Sequence, residues 1–89
     1  MSFEFDPAKS ATNKEKHGID FDAAQALWLD GQVAELPSTA QVLNEVRYLV
    51  IGRIADRHWT AIVTRRGDAI RIISVRQARK EEVDYYESD

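Results

Sequence analysis

Cysteine is absent from the 89 residues, which excludes structural disulfides, thiol nucleophiles and cysteine-ligated zinc or iron–sulfur clusters. Glycine is scarce, and its four copies are scattered rather than gathered into a loop that could cradle phosphates, so a nucleotide-hydrolysing domain is not indicated. Long apolar runs are missing as well. No run exceeds four residues, and Tyr48-Leu49-Val50-Ile51, one of that length, falls far short of the ~20 residues a membrane helix needs. The N-terminus has no basic segment followed by an apolar one, so a cytoplasmic protein without membrane contact is the expectation. The only histidines, His17 and His58, stand far apart, and with no cysteine to help them a metal site is not expected, nor any other cofactor.

What is present suits one small domain over residues 1–89. Hydrophobic residues make up 44% and charged residues 30%, a balance that folds rather than stays disordered. The net charge of minus 3 conceals a sharp asymmetry. Residues 1–45 sum to minus 5, residues 46–80 to plus 7 and residues 81–89 to minus 5. Eight of the nine bases in the middle segment are Arg, whose planar fork grips phosphate bidentately. A polyanion-binding surface and a solvated sheet face decorated with arginine both fit this pattern.

Alternating Ser2-Phe3-Glu4-Phe5 predicts a short strand. Asp6-Pro7 then caps a first helix over about Pro7 to His17, with Gly18 as its left-handed terminator. Asp20 caps a second helix through about Leu29, in which Phe21, Ala24, Leu27 and Trp28 share one side. A short strand over Val33 to Leu36 is expected to stop at Pro37. Rising β-branched content from Arg47 to Ser74 predicts an antiparallel meander, with strands near Arg47 to Ile54, Trp59 to Thr64 and Ala69 to Val75. A last helix runs from about Arg79 to Glu87, with Val83 and Tyr86 as its expected buried contacts. The class is α+β: a small antiparallel sheet with two N-terminal helices and a C-terminal helix.

The segments Phe5-Asp6-Pro7-Ala8-Lys9 with Asn13, Lys16-His17-Gly18-Ile19 with Phe21, and Arg66-Gly67-Asp68 leading into Ile70-Arg71-Ile72-Ile73-Ser74, Arg76 and Ala78 resemble the BrnT-type toxins. The resemblance spans Phe3 to Tyr86 and implies a RelE-like fold and a small ribonuclease of a type II toxin–antitoxin module. It further implies metal-free RNA cleavage, inhibition of translation, and neutralisation by a BrnA-type antitoxin that forms a hetero-oligomer with the toxin and binds operator DNA. Glu82-Val83-Asp84 stands where the final helix of the family is often basic.

Cleavage by internal attack needs the 2′-hydroxyl deprotonated, the extra charge on the pentavalent phosphate stabilised, and the 5′-oxygen protonated as it leaves. With the resemblance in view, Arg71, Arg76 and Arg79 form a candidate phosphate clamp. Ideal alternation puts Arg71 and Arg76 on opposite faces, so they converge only if the strand stops or bulges near Ser74 and Val75. His17 is the candidate for proton transfer, since histidine ordinarily titrates near neutrality; it reads equally as a cation at a helix C-terminus. Glu81 is a second candidate base, or an ordinary acid at a helix start. Lys16, Arg65, Arg66 and Tyr85 are candidate substrate contacts, Tyr85 as a stacking or proton-donating group or simply as a packed side chain. A non-catalytic module that binds nucleic acid or protein through its basic sheet face, within a repressor complex, is the other functional reading.

Overall fold

The structure, a computed structural model, describes residues 2–42 and 45–88. The first helix, α1 (Pro7–His17), begins where the sequence predicts: the Asp6 carboxylate accepts the Ala8 N–H at 2.9 Å, and Pro7 fits the first helical position. Gly18, with φ 84°, ends it by donating its N–H to the Lys14 carbonyl at 2.9 Å. Lys14, Lys16 and His17 thus lie in the last turn, where the helix dipole favours cations.

The second helix is shorter than predicted. Asp20 caps α2 (Phe21–Ala24) through a 2.8 Å bond from the Ala23 N–H, and the chain then tightens into a 3-10 turn over Gln25–Leu29. That turn presses Leu27 against the sheet at Gly52, where an added Cβ would stand 3.0 Å from Leu27 Cδ2. The glycine therefore sets how closely this layer approaches.

The sheet has five strands, β1 (Ser2–Glu4), β2 (Ala34–Val42), β3 (Glu45–Ile54), β4 (Arg57–Arg66) and β5 (Ala69–Gln77), in the spatial order β1-β5-β4-β3-β2. Two expectations are corrected here. The sheet is larger than a small antiparallel one and is mixed, because β1 lies parallel to β5 with Phe3 beside Ile70. Alternation in Ser2-Phe3-Glu4-Phe5 reports a strand but carries no information on its partner. In addition, β2 does not stop at Pro37 but continues through it to Val42. β2 pairs only with β3, so it is an edge strand, and the missing N–H of Pro37 removes no obligatory ladder bond; the register slips between Pro37 and Gln41.

One sheet face, bearing Val50, Ala61, Val63, Ile70, Ile72 and Val75, packs against Ile19, Phe21, Ala24 and Leu27 to make the main core. The opposite face is covered in part by α3 (Lys80–Glu87), under which Ile51 and Thr60 are fully buried. Tyr86 anchors the end of α3: its hydroxyl donates to Asp30 Oδ2 at 2.6 Å, and its ring meets His58 edge to face. Among the described residues no helix is long and apolar enough to cross a membrane.

Candidate functional site

β1 pairs with β5 only as far as Arg71, so among the described residues the outer edge of β5 beyond Arg71 has no strand beside it. α1 takes the vacant place through a single buried side chain. Asn13 donates from Nδ2 to the Val75 carbonyl at 2.9 Å and to the Ile19 carbonyl at 2.8 Å, while its Oδ1 accepts the Val75 N–H at 3.1 Å. An amide thus supplies the donor and acceptor that a neighbouring strand would, and the backbone groups of Val75 are not left unsatisfied. The sequence offered Asn13 only as part of a pattern; its task is visible once the open edge of β5 is known.

Where α1 leans on β5, a cavity of about 300 Å³ opens, lined by Lys9, Thr12, Lys16, His17, Ile73 and Ser74 among others. Lys9, Thr12 and Lys16 follow one another at i, i+3 and i+7 and so share a side of the helix. Among the described residues no acid lines the cavity. Among the described residues neither Lys9, Lys16 nor His17 pairs with a carboxylate.

The β5 wall of this cavity carries the bulge on which the convergence of the arginines depends. Ile62 pairs with Ser74 and Val63 with Ile72, so Ile73 is the extra residue, one position before the expected place. Ile72 and Val75 both face the main core, which turns Arg71 and Arg76 to the same, opposite face. The bulge therefore does bring the two onto one side of the sheet.

Their surroundings differ from a bare clamp. Arg76 meets Glu82 in a two-pronged pair, Nη1 to Oε1 and Nη2 to Oε2, both at 2.7 Å. Glu82 is 7% exposed, and its Oε1 also accepts the Thr60 hydroxyl and the Arg79 N–H, each at 2.8 Å. The Arg76 hydrogen bonds are the largest influence holding the Glu82 carboxyl at about 2, well below its ordinary range, and they raise the guanidinium of Arg76 in turn. Arg71 reaches Glu4 at 3.4 Å, and Arg66 reaches Glu45 at 3.1 Å.

Arg79, Glu81 and Tyr85 sit exposed on or just before α3, so Arg79 and Glu81 lie at the same end of the sheet as Arg76. Arg65 lies elsewhere. It pairs with Glu35 and stacks over the Tyr48 ring, 5.1 Å from its centroid, on the face that carries Val63 and Ile70. The residues that the sequence reading missed are Glu82, Thr60 and Lys9. An acid three positions after Arg79, at the start of a helix, was the available sign for Glu82.

Residues 5–82 match the family model described as the ribonuclease toxin BrnT of type II toxin–antitoxin systems. No curated protein matches the chain.

Proposed function

Because the chain belongs to the BrnT family of ribonuclease toxins of type II toxin–antitoxin systems, we propose that the α1–β5 cavity and the arginine face of β5 together bind and cut RNA without a metal ion. The observation that carries this reading is a cavity lined by Lys9, Lys16, His17 and Ser74 with no acid in its wall, two residues along β5 from Arg76. Cations without local partners form the kind of site that a phosphodiester enters, since each remains free to donate to a phosphate oxygen.

In the reaction proposed, His17 takes the proton of the 2′-hydroxyl. The 2′-oxygen forms its bond to phosphorus as the bond to the 5′-oxygen breaks, and the departing oxygen takes a proton from solvent water, leaving a cyclic phosphate and a free 5′-hydroxyl. Glu81, at the same end of the sheet as Arg76, is the second proton carrier. Arg71, Arg76 and Arg79 offset the charge that builds on phosphorus. Lys16, Arg66 and Tyr85 contact the flanking nucleotides, while Arg65, on the far face, contributes to the field that draws the polyanion in. We further propose a RelE-like fold, inhibition of translation, and a BrnA-type antitoxin that binds operator DNA and forms a hetero-oligomer with this chain. Membership of the family implies an antitoxin partner and an RNA target; these finer assignments are our reading.

The test is incubation of the purified protein with an RNA and its 2′-deoxy analogue in the presence of chelator. Cutting of the RNA alone, with a cyclic phosphate at the new end, is expected. Cutting of both substrates, or of neither, overturns the mechanism. The rival reading, a basic face that only binds, draws on the carboxylates already engaged by Arg65, Arg66, Arg71 and Arg76. It requires affinity that falls steeply with salt and leaves the RNA intact.

A further inference from the structure

The guanidinium of Arg76 carries five N–H donors, and the structure accounts for only some of them. Nη1 gives one hydrogen to Glu82 Oε1 and lies 3.4 Å from the Gln77 carbonyl, and Nη2 gives one to Glu82 Oε2. Glu82 therefore holds the end-on edge of the fork. The side-on edge, made by Nε–H and the second Nη2–H, has no partner among the described residues. Nor is that edge sealed: among the described residues Arg47 Nε is the buried side-chain nitrogen left without a partner, and Arg76 Nε is not in that condition.

We infer that Glu82 is a positioning residue, which clamps Arg76 by one edge so that the other edge is aimed at a phosphate of the RNA. The inference rests on the reading that Arg76 touches the scissile phosphate. Three features support it. The carboxylate is itself locked, since Oε1 accepts from Thr60, Arg79 and Arg76 together, which leaves it little freedom to follow or release the fork. Its anchors come from β4 and the N-terminus of α3, so the pair is fixed by two elements rather than by a flexible loop. A guanidinium restrained in this way also loses little rotamer freedom when a phosphate arrives, and that saving appears in turnover when the contact tightens in the transition state.

The experiment compares Glu82→Gln, Arg76→Ala and the double variant in RNA cleavage, at a temperature where circular dichroism shows each to be folded. Gln offers one acceptor oxygen and turns an NH2 toward Nη2, so the two-pronged pair is lost while the side chain keeps its size. The expected result is a fall in kcat of at least tenfold for Glu82→Gln with KM changed less than threefold. The double variant should be no slower than Arg76→Ala within a factor of two. If Arg76→Ala loses turnover and folded Glu82→Gln does not, the positioning role is overturned and the proposed reaction stands. Should Arg76→Ala retain full turnover, the assignment of Arg76 to the phosphate fails, and the inference with it. Faster cleavage by Glu82→Gln would identify the carboxylate as a competitor for Arg76, which also overturns the inference. If Glu82→Gln does not fold, Thr60→Val removes one anchor of the carboxylate and is expected to lower kcat by twofold to fivefold; unchanged turnover in that variant counts against positioning.

Discussion

The basic middle of the sequence and the acidic first half exchange roles when the chain folds. Residues 46–80 sum to plus 7, yet Arg65, Arg66, Arg71 and Arg76 each meet a carboxylate from outside that segment: Glu35, Glu45, Glu4 and Glu82. Residues 1–45 sum to minus 5, yet Lys9, Lys16 and His17 from that half line a cavity with no acid in its wall. Charge counted along a chain therefore locates cations without locating the field. What reaches a ligand is the charge left over after the fold has matched its own ions, and Lys9 and Lys16 place part of that remainder on α1.

The sharpest way to break the comparison is to detach the wall that creates the cavity. Asn13→Ala removes three hydrogen bonds and strands the buried N–H and C=O of Val75 at the open edge of β5. Buried backbone groups left unpaired are expensive, so a loss of roughly 2–4 kcal/mol in unfolding free energy is expected, measured by urea titration. A loss below about 1 kcal/mol would show that α1 is held to the sheet by its other contacts. RNA binding by the cavity should weaken in the same variant even under conditions where it remains folded.

The paired region is tested by acid. The carboxyl of Glu82 lies at about 2 in the folded chain against 4.5 for a free glutamate, so the folded state binds the proton less readily than the unfolded state. The sign follows: the stability this pair contributes is complete above about pH 4.5 and is lost progressively as pH falls toward 2. For a carboxylate this buried the contribution is on the order of 2–3 kcal/mol. The urea midpoint should therefore drop between pH 5 and pH 2.5 in the parent chain and drop less in Glu82→Gln. Parallel slopes for the two proteins would remove Glu82 from the account of acid stability.

Local signals made much of the framework legible. Asp6-Pro7 and Gly18 placed both ends of α1, and the turn residues divided β3, β4 and β5 nearly where they divide in space. Pairing was not legible, because the partner of β1 and the reach of β2 past Pro37 depend on which edges the fold leaves open. The candidate site divides along the same line. His17 and Lys16 could be named from a motif, and the bulge was stated as a condition for Arg71 and Arg76 to share a face. From sequence, the spacing of three from Arg79 was the one sign that set Glu82 apart from Glu81, since both are acids in the first turn of α3. Only the position of Thr60 and Arg76 across the sheet selects Glu82 as the buried one.

The smallest expected effect is also the most direct reading of leftover charge. Lys16 and Arg65 are both exposed cations, but Lys16 lines the cavity without an ion-pair partner, whereas Arg65 is held by Glu35 and stacked on Tyr48 on the other face of the sheet. Reversing each charge in turn, as Lys16→Glu and Arg65→Glu, alters the net charge of the protein identically. If total charge governed RNA affinity, the two variants would weaken binding of a non-cleavable 2′-deoxy oligonucleotide by the same factor. If unmatched charge governs it, Lys16→Glu should weaken binding about tenfold at low salt, about 1.4 kcal/mol. Arg65→Glu should weaken it about twofold, and only the Lys16 variant should show a shallower dependence on salt, as expected when a phosphate contact is lost. Equal losses in the two variants would place the binding field in the whole molecule rather than on α1, and the contrast between the two regions would then have no functional content.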